Sequence, residues 1–147
     1  MAVGDRMGAG SADDQASLIV VAHHPQGARV ARQRLAAELA GLVDVITPAV
    51  AADAVAVCAE LLGNAVRHAD PLPGGVIHLC WRIEAVDGAA RIHLRVVDGG
   101  SALIPTRRMA GPEAVDGRGL AIVAALALRW GVDRDDDACS VWADIVE

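Results

Sequence analysis

Two prolines bracket the segment that most limits what this chain can fold into. Thr47-Pro48 sets an N-cap hydroxyl before a proline at the first helical position, and the helix this predicts runs to about Ala69, stopping before Pro71. Between them Val50, Ala54, Val57, Cys58, Leu61, Leu62 and Ala65 recur at the spacing of one helical face. A helix with so broad an apolar side has to lie on a sheet or on other helices. The same helix carries Glu60, Asn64, Arg67 and His68. Glu60 and Asn64 are four apart, so they project from one side, one turn above the other, and His68 extends the row. A polar row of this kind is costly to bury without partners.

The flanking segments supply the sheet. Val76 to Glu84 alternates, with Ile77, Leu79, Trp81 and Ile83 on one face, and Asp87-Gly88 is a hairpin signal. Arg91 to Val97 is the partner strand, with Ile92, Leu94 and Val96 on its inner face. Leu18 to Ala22 reads as a short strand. Gln26 to Leu42 reads as a helix with Val30, Leu35, Leu39 and Leu42 as its stripe, ending near Gly41. Arg118 to Arg129 is a further helix, apolar at Leu120, Ile122, Val123, Leu126 and Leu128. Trp130 to Asp133 and Cys139 to Val146 form a closing hairpin that turns at Asp135-Asp136-Asp137. The order β, α, α, β, β, α, β, β predicts an α+β two-layer sandwich: a mixed, mostly antiparallel sheet with helices on one face. The chain has no Phe or Tyr, and its only aromatics are Trp81, Trp130 and Trp142, so small aliphatic side chains must build the core and favour close helix-on-sheet packing.

Composition removes several classes of function. The 147 residues fit one domain. Residues 1–16 are rich in Gly, Ala and Asp, which predicts a disordered tail ahead of a domain over 17–147. That tail has no long apolar stretch and does not read as a signal peptide. A net charge of −6 argues against direct nucleic-acid binding and gives no support to an anionic membrane as partner. No apolar run is expected to reach membrane-spanning length; 121–128 is far too short. Cys58, Cys80 and Cys139 are odd in number and widely spaced, which points to reduced thiols in a cytoplasmic protein.

Three further features carry chemistry. Asp98 ends a strand and is followed by Gly99-Gly100. A carboxylate there can accept from the exocyclic amine of adenine. Guanine would set a carbonyl against it, and an unsatisfied buried acceptor costs about 1–3 kcal/mol. The two glycines would let backbone approach the base, although Asp-Gly-Gly is also ordinary at a strand-end turn. Gly117-Arg118-Gly119-Leu120 opens a helix, whose exposed amides and dipole favour phosphate, and Arg118 adds a charged donor. A flexible loop entering a packed helix has the same pattern. Asn64 can give Mg²⁺ an uncharged oxygen, with phosphate and water completing the shell. Glu60, one turn away, can act as general base, and an exposed helix face would look alike. The run 101–116 between the last two features has no period and contains Arg107 and Arg108; a loop of this length is often functional. His23-His24 reads as a solvated turn after a strand, and His78 and His93 have no ligand spacing.

In order, Glu60-x-x-x-Asn64-Ala65-x-Arg67-His68-Ala69, Asp98-x-Gly100 and Gly117-x-Gly119-Leu120 resemble the N, G1 and G2 boxes of the GHKL ATPase superfamily. The resemblance covers roughly Leu18 to Val146. It is nearest to the small stand-alone domains of bacterial anti-sigma factors with serine/threonine kinase activity, the RsbW and SpoIIAB type. It implies a Bergerat-type ATP-binding fold with ATP and Mg²⁺. Asn64 would hold the metal and Glu60 would be the catalytic base. Asp98 would bind adenine, and Arg67, His68, Gly100, Gly117, Arg118, Gly119 and Leu120 would complete the nucleotide site, under a lid over 101–116. It further implies a sigma factor and an anti-anti-sigma (STAS-type) protein as partners, and a possible homodimer. Ala102 stands where a fuller G1 box has another glycine, and the phosphoacceptor helix of two-component kinases is missing. Two functions are therefore expected: a protein kinase acting on an antagonist protein, or a non-catalytic, nucleotide-gated module that sequesters a sigma factor or another partner.

Overall fold

The computed structural model describes residues 15–100 and 117–147. The expected lid over 101–116 and most of the expected tail lie outside them. The elements are β1 (Gln15–Ala22), α1 (Pro25–Ala40), α2 (Pro48–His68), β2 (Val76–Val86), β3 (Ala89–Asp98), α3 (Gly117–Leu126), β4 (Arg129–Arg134) and β5 (Cys139–Val146). The strands form one sheet in the order β1-β2-β3-β5-β4, and every neighbouring pair is antiparallel. The fold is the expected α+β sandwich. Its sheet is antiparallel throughout the described ladders: β1–β2, β2–β3 and β4–β5 are consecutive neighbours, while α3 carries the chain from β3 to β4, parallel to it, and β5 returns between them antiparallel to both. β1 begins at Gln15, ahead of the expected Leu18. Gln15 and Ala16, expected in the tail, pair with Ile83 and Arg82.

The β2–β3 hairpin sets the register. Asp87 and Gly88 both take positive φ (53° and 80°), which a two-residue turn with the twist of its strands requires. Period two then puts Ile77, Leu79, Trp81 and Ile83 of β2, and Ala90, Ile92, Leu94, Val96 and Asp98 of β3, on the buried face. α2 lies across the middle of the helical layer, packed on α1, α3, β3 and β5. Its buried side is the expected one: Val50, Ala54, Val57, Cys58, Leu61, Leu62 and Ala65. Thr47 caps its start, its Oγ1 accepting from Val50 N–H at 3.3 Å. By length and composition α2 could cross a membrane (mean hydropathy 1.6), contrary to the expectation that no run would. Here its apolar side is part of the core.

Two helices depart from expectation. In α1 the buried residues are Ala31, Leu35 and Leu39, while Val30 is 57% exposed. The helix sits so close to β1 that a Cβ on Gly27 would lie 2.3 Å from the Ala22 carbonyl oxygen. That approach favours alanine over valine on the inner face. α3 ends at Leu126 rather than Arg129. Leu128 N–H donates to Asp144 O at 2.8 Å and is 60% exposed, and Arg129 already belongs to β4 opposite Asp144.

The sheet face turned away from the helices has its own polar anchor. Asp144 is 3% exposed and accepts from His93 Nδ1 and, at 2.8 Å, from Arg129 Nε. The His93 ring stacks on Trp142, and Gly131 leaves room for that indole, which a Cβ would meet at 2.8 Å. Burial pushes the Asp144 carboxyl up, but the His93 and Arg129 hydrogen bonds and charges outweigh it and hold the group below its ordinary value. A carboxyl lowered by folding contributes stability at neutral pH and loses it as pH falls through the folded value. Asp144→Asn should therefore cost about 1–2 kcal/mol at pH 7, a modest figure because Arg129 is largely solvated. Thermal melts across pH test this: the gap to wild type should narrow progressively below about pH 4.

Candidate functional site

The end of β3 and the end of α2 meet at one rim of the sandwich. Asp98 falls on the inward beat of β3, so its carboxylate points toward the helical layer and is only 5% exposed. One oxygen, Oδ1, accepts from Gly100 N–H at 2.7 Å. Burial pushes the carboxyl above its ordinary value. The Gly100 hydrogen bond, Arg134 and His23 pull it back, and Asp70 adds to the rise.

The two glycines after Asp98 do different work. Gly100 takes φ +86°, a left-handed value that a side chain would strain. Gly99 is needed for space: a Cβ there would lie 2.2 Å from the Pro71 carbonyl oxygen. Gly99, expected with Gly100 to let backbone approach a base, packs its bare Cα against the chain leaving α2. Gly99 N–H donates to Asp70 O and Asp70 N–H to Gly100 O, each at 2.8 Å. These paired bonds stitch the Asp98 turn to the segment after α2.

Glu60 and Asn64 lie half-buried on α2, as their spacing requires. Arg67 and His68 are exposed at the helix end, where positive charge suits the dipole. Arg67 folds back over Gly63, and its Nη2 donates to Asn64 Oδ1 at a long 3.4 Å. A weak bond of that length is readily exchanged for a better partner. α3 begins at Gly117, so its N-terminus is formed by the expected Gly117-Arg118-Gly119-Leu120 run, with Leu120 buried. α2 packs on both β3 and α3. The helix bearing Glu60 and Asn64 thus adjoins the strand ending in Asp98 and the helix opened by Gly117. Arg107 and Arg108 lie outside the described residues.

The donor set bears on which metal could sit here. Among the described residues no group of His, Cys, Asp and Glu is placed to hold a metal ion. A metal at this rim would need oxygens from its ligand, and a single carboxamide such as Asn64 fits Mg²⁺ bound in that way.

His23 was not anticipated. It is no solvated turn residue: its Nε2 lies 2.9 Å from the carbonyl oxygens of both Ala65 and Ala69, at the end of α2. His24 caps α1, its Nδ1 accepting from Gln26 N–H at 3.1 Å. Arg134 and Asp70, also unforeseen, stand within electrostatic reach of Asp98. Only the placement of His23-His24 directly after a strand hinted at any of this.

A carboxyl raised by folding favours the folded state below its unfolded value and loses that contribution as pH rises through the folded value. Ionising Asp98 thus costs stability. Asp98→Asn keeps an oxygen for the Gly100 N–H and removes the charge. Its melting temperature at pH 7 should equal or exceed that of wild type, with the difference shrinking toward acid pH. A large drop at pH 7 would mean that Arg134 and His23 stabilise the charge more than burial opposes it.

Comparison with known proteins bears on the same residues. The model of the histidine kinase-like ATPase domain family matches residues 21–144, from β1 into β5. No curated protein matches the chain. The match spans most of the chain and takes in α2, the end of β3 and the start of α3, so the chain belongs to the histidine kinase-like ATPase domain family.

Proposed function

We propose that this chain is a cytoplasmic ATP-binding regulator: an anti-sigma factor that phosphorylates a serine or threonine of an anti-anti-sigma protein of the STAS type. The observation that carries it is the junction at α2. A helix with Glu60 and Asn64 on one side packs on the strand ending in buried Asp98 and on the helix that begins at Gly117. Family membership supplies the nucleotide.

Each residue then has a defined task. Asp98 accepts from the adenine amine, and its burial sharpens the choice, since an unmatched acceptor there has no water to turn to. Gly100 holds the turn that orients the carboxylate. The amides of Gly117, Arg118, Gly119 and Leu120 at the start of α3 face the phosphates, with Arg118 as a charged donor. Asn64 would offer its Oδ1 to Mg²⁺ in place of its weak bond from Arg67, and Arg67 would keep positive charge beside the phosphates, with the His68 ring next to it. When bound, Mg²⁺ neutralises phosphate charge and fixes the γ-phosphoryl for in-line transfer. Glu60 accepts the proton of the attacking hydroxyl. The oxygen–phosphorus bond to the serine or threonine forms, the bond from the γ-phosphorus to the bridging oxygen breaks, and ADP leaves.

Labelled ATP, Mg²⁺ and a panel of candidate anti-anti-sigma proteins test the chemistry. Wild type should transfer phosphate. Glu60→Ala should lose transfer by about 10²–10⁴-fold while binding ATP as before, and undiminished transfer would remove Glu60 as the base. ATP binding with no transfer to any candidate would instead favour the nucleotide-gated binding module. Asn64→Ala should abolish the gain in ATP affinity that magnesium brings, measured by calorimetry with and without the metal. Equal gains in variant and wild type would rule out the metal role.

A further inference from the structure

Resting on the nucleotide reading above, we infer that His23 is a positioning residue for the metal-binding half of the site, holding the last turn of α2 so that Asn64 and Glu60 face the phosphates. His23 leaves the end of β1 with its backbone fixed, its N–H donating to Gly75 O at 3.0 Å. Its ring crosses to α2, where Nε2 sits 2.9 Å from both Ala65 O and Ala69 O. Carbonyl oxygens only accept, so Nε2 carries a proton and shares it between the two.

Ala65 O accepts from the capping Ala69 N–H at a long 3.3 Å, and a side-chain donor added there also suits the negative end of the dipole. In this chain the donor comes from a residue 42 positions from Ala65 in sequence, so it is a tertiary clamp. Ala65 directly follows Asn64, and Glu60 is one turn earlier.

The end of α2 is thus held from two sides. The bonds between Asp70 and the Gly99-Gly100 turn tie it to the adenine half. His23 ties it to β1. Without His23 the first tie remains and Asp98 keeps its Gly100 bond, losing only the electrostatic support of His23, while the last turn of α2 gains freedom to move. The loss should therefore fall more heavily on the magnesium-dependent part of binding than on the base-dependent part.

Calorimetry of wild type, His23→Ala and His23→Gln separates the two, using ATP with and without Mg²⁺ and ADP without metal. His23→Ala should lose about 10–100-fold of the magnesium-dependent gain, with metal-free ADP affinity falling by a clearly smaller factor, since Asp98 loses only the charge of His23. His23→Gln, which keeps N–H donors at similar reach, should recover most of it. An unchanged gain in His23→Ala, or equal loss in both variants, overturns the inference. A wild type with no magnesium-dependent gain overturns the nucleotide reading beneath it. Should His23→Ala fail to fold, ¹⁵N imidazole spectra of wild type decide. A protonated Nε2 that shifts with magnesium–ATP but not with metal-free ADP supports the clamp, and an unprotonated or unresponsive Nε2 overturns it.

Discussion

The packing of one side of α2 on the sheet is the contact from which the rest of the molecule takes its positions. Val57, Leu61 and Leu62 of α2 meet Ile92, Leu94 and Val96 of β3 in a core with no Phe or Tyr, and all six are essentially inaccessible to solvent. Burying each such side chain is worth about 1.5–3 kcal/mol. Trp81 is the only buried ring among the described residues, so the layers approach closely and a helix cannot rotate without opening voids, each of which costs stability. Fixing the apolar side of α2 fixes its polar side too, because the two share one helical phase. Glu60 and Asn64 are directed by the burial of Leu61, Leu62 and Ala65.

The same rigidity explains how Asp98 can be buried. A carboxylate at the last inward position of a strand would be pulled outward if the strand end were loose. Here the following turn is pinned twice: Gly99 is wedged against Pro71, and Asp70 accepts from Gly99 N–H and donates to Gly100 O. The penalty for burial is met by packing elsewhere. A buried carboxyl perturbed in this way is of the kind that clusters at functional sites. The opposite face of the sheet shows the contrast. Asp144 is as deeply buried as Asp98, yet it sits between His93 and Arg129 and is held low. One aspartate is matched within the fold, and the other is only partly matched.

Much of this was legible because it depends on local periodicity. The inner faces of α2, β2 and β3 follow from spacing alone, as does the two-residue turn at Asp87-Gly88. The polar row on α2, the Asp-Gly-Gly strand end and the glycine-opened helix were readable as separate motifs. Their roles remain inferences from family membership and from the junction at α2. What escaped reading depends on distant contacts. Hydropathy ranks Val30 above Ala31, but the close approach of α1 to β1 at Gly27 leaves room only for the smaller residue inside. Nothing in Ala127-Leu128-Arg129 breaks a helix; α3 stops because Leu128 and Arg129 are drawn to Asp144 in β5. The polar residues of α2 did not keep its overall composition below what a membrane would accept, so only its packing marks it as a core helix.

His23 is the case where sequence is least able to speak. A histidine after a strand has no periodic partner, and its acceptors are backbone carbonyls, which every residue carries. No side-chain motif can encode such a contact. It exists because β1 ends beside the end of α2, a placement set by the sheet order and by the loop that returns from α2 through Gly75 into β2. The ring therefore reports the relation between two layers of the sandwich. A shift or a rotation of α2 lengthens at least one of the two contacts. A donor nitrogen 2.9 Å from each oxygen tolerates neither motion well, and that intolerance gives a single imidazole leverage over the helix that carries Asn64.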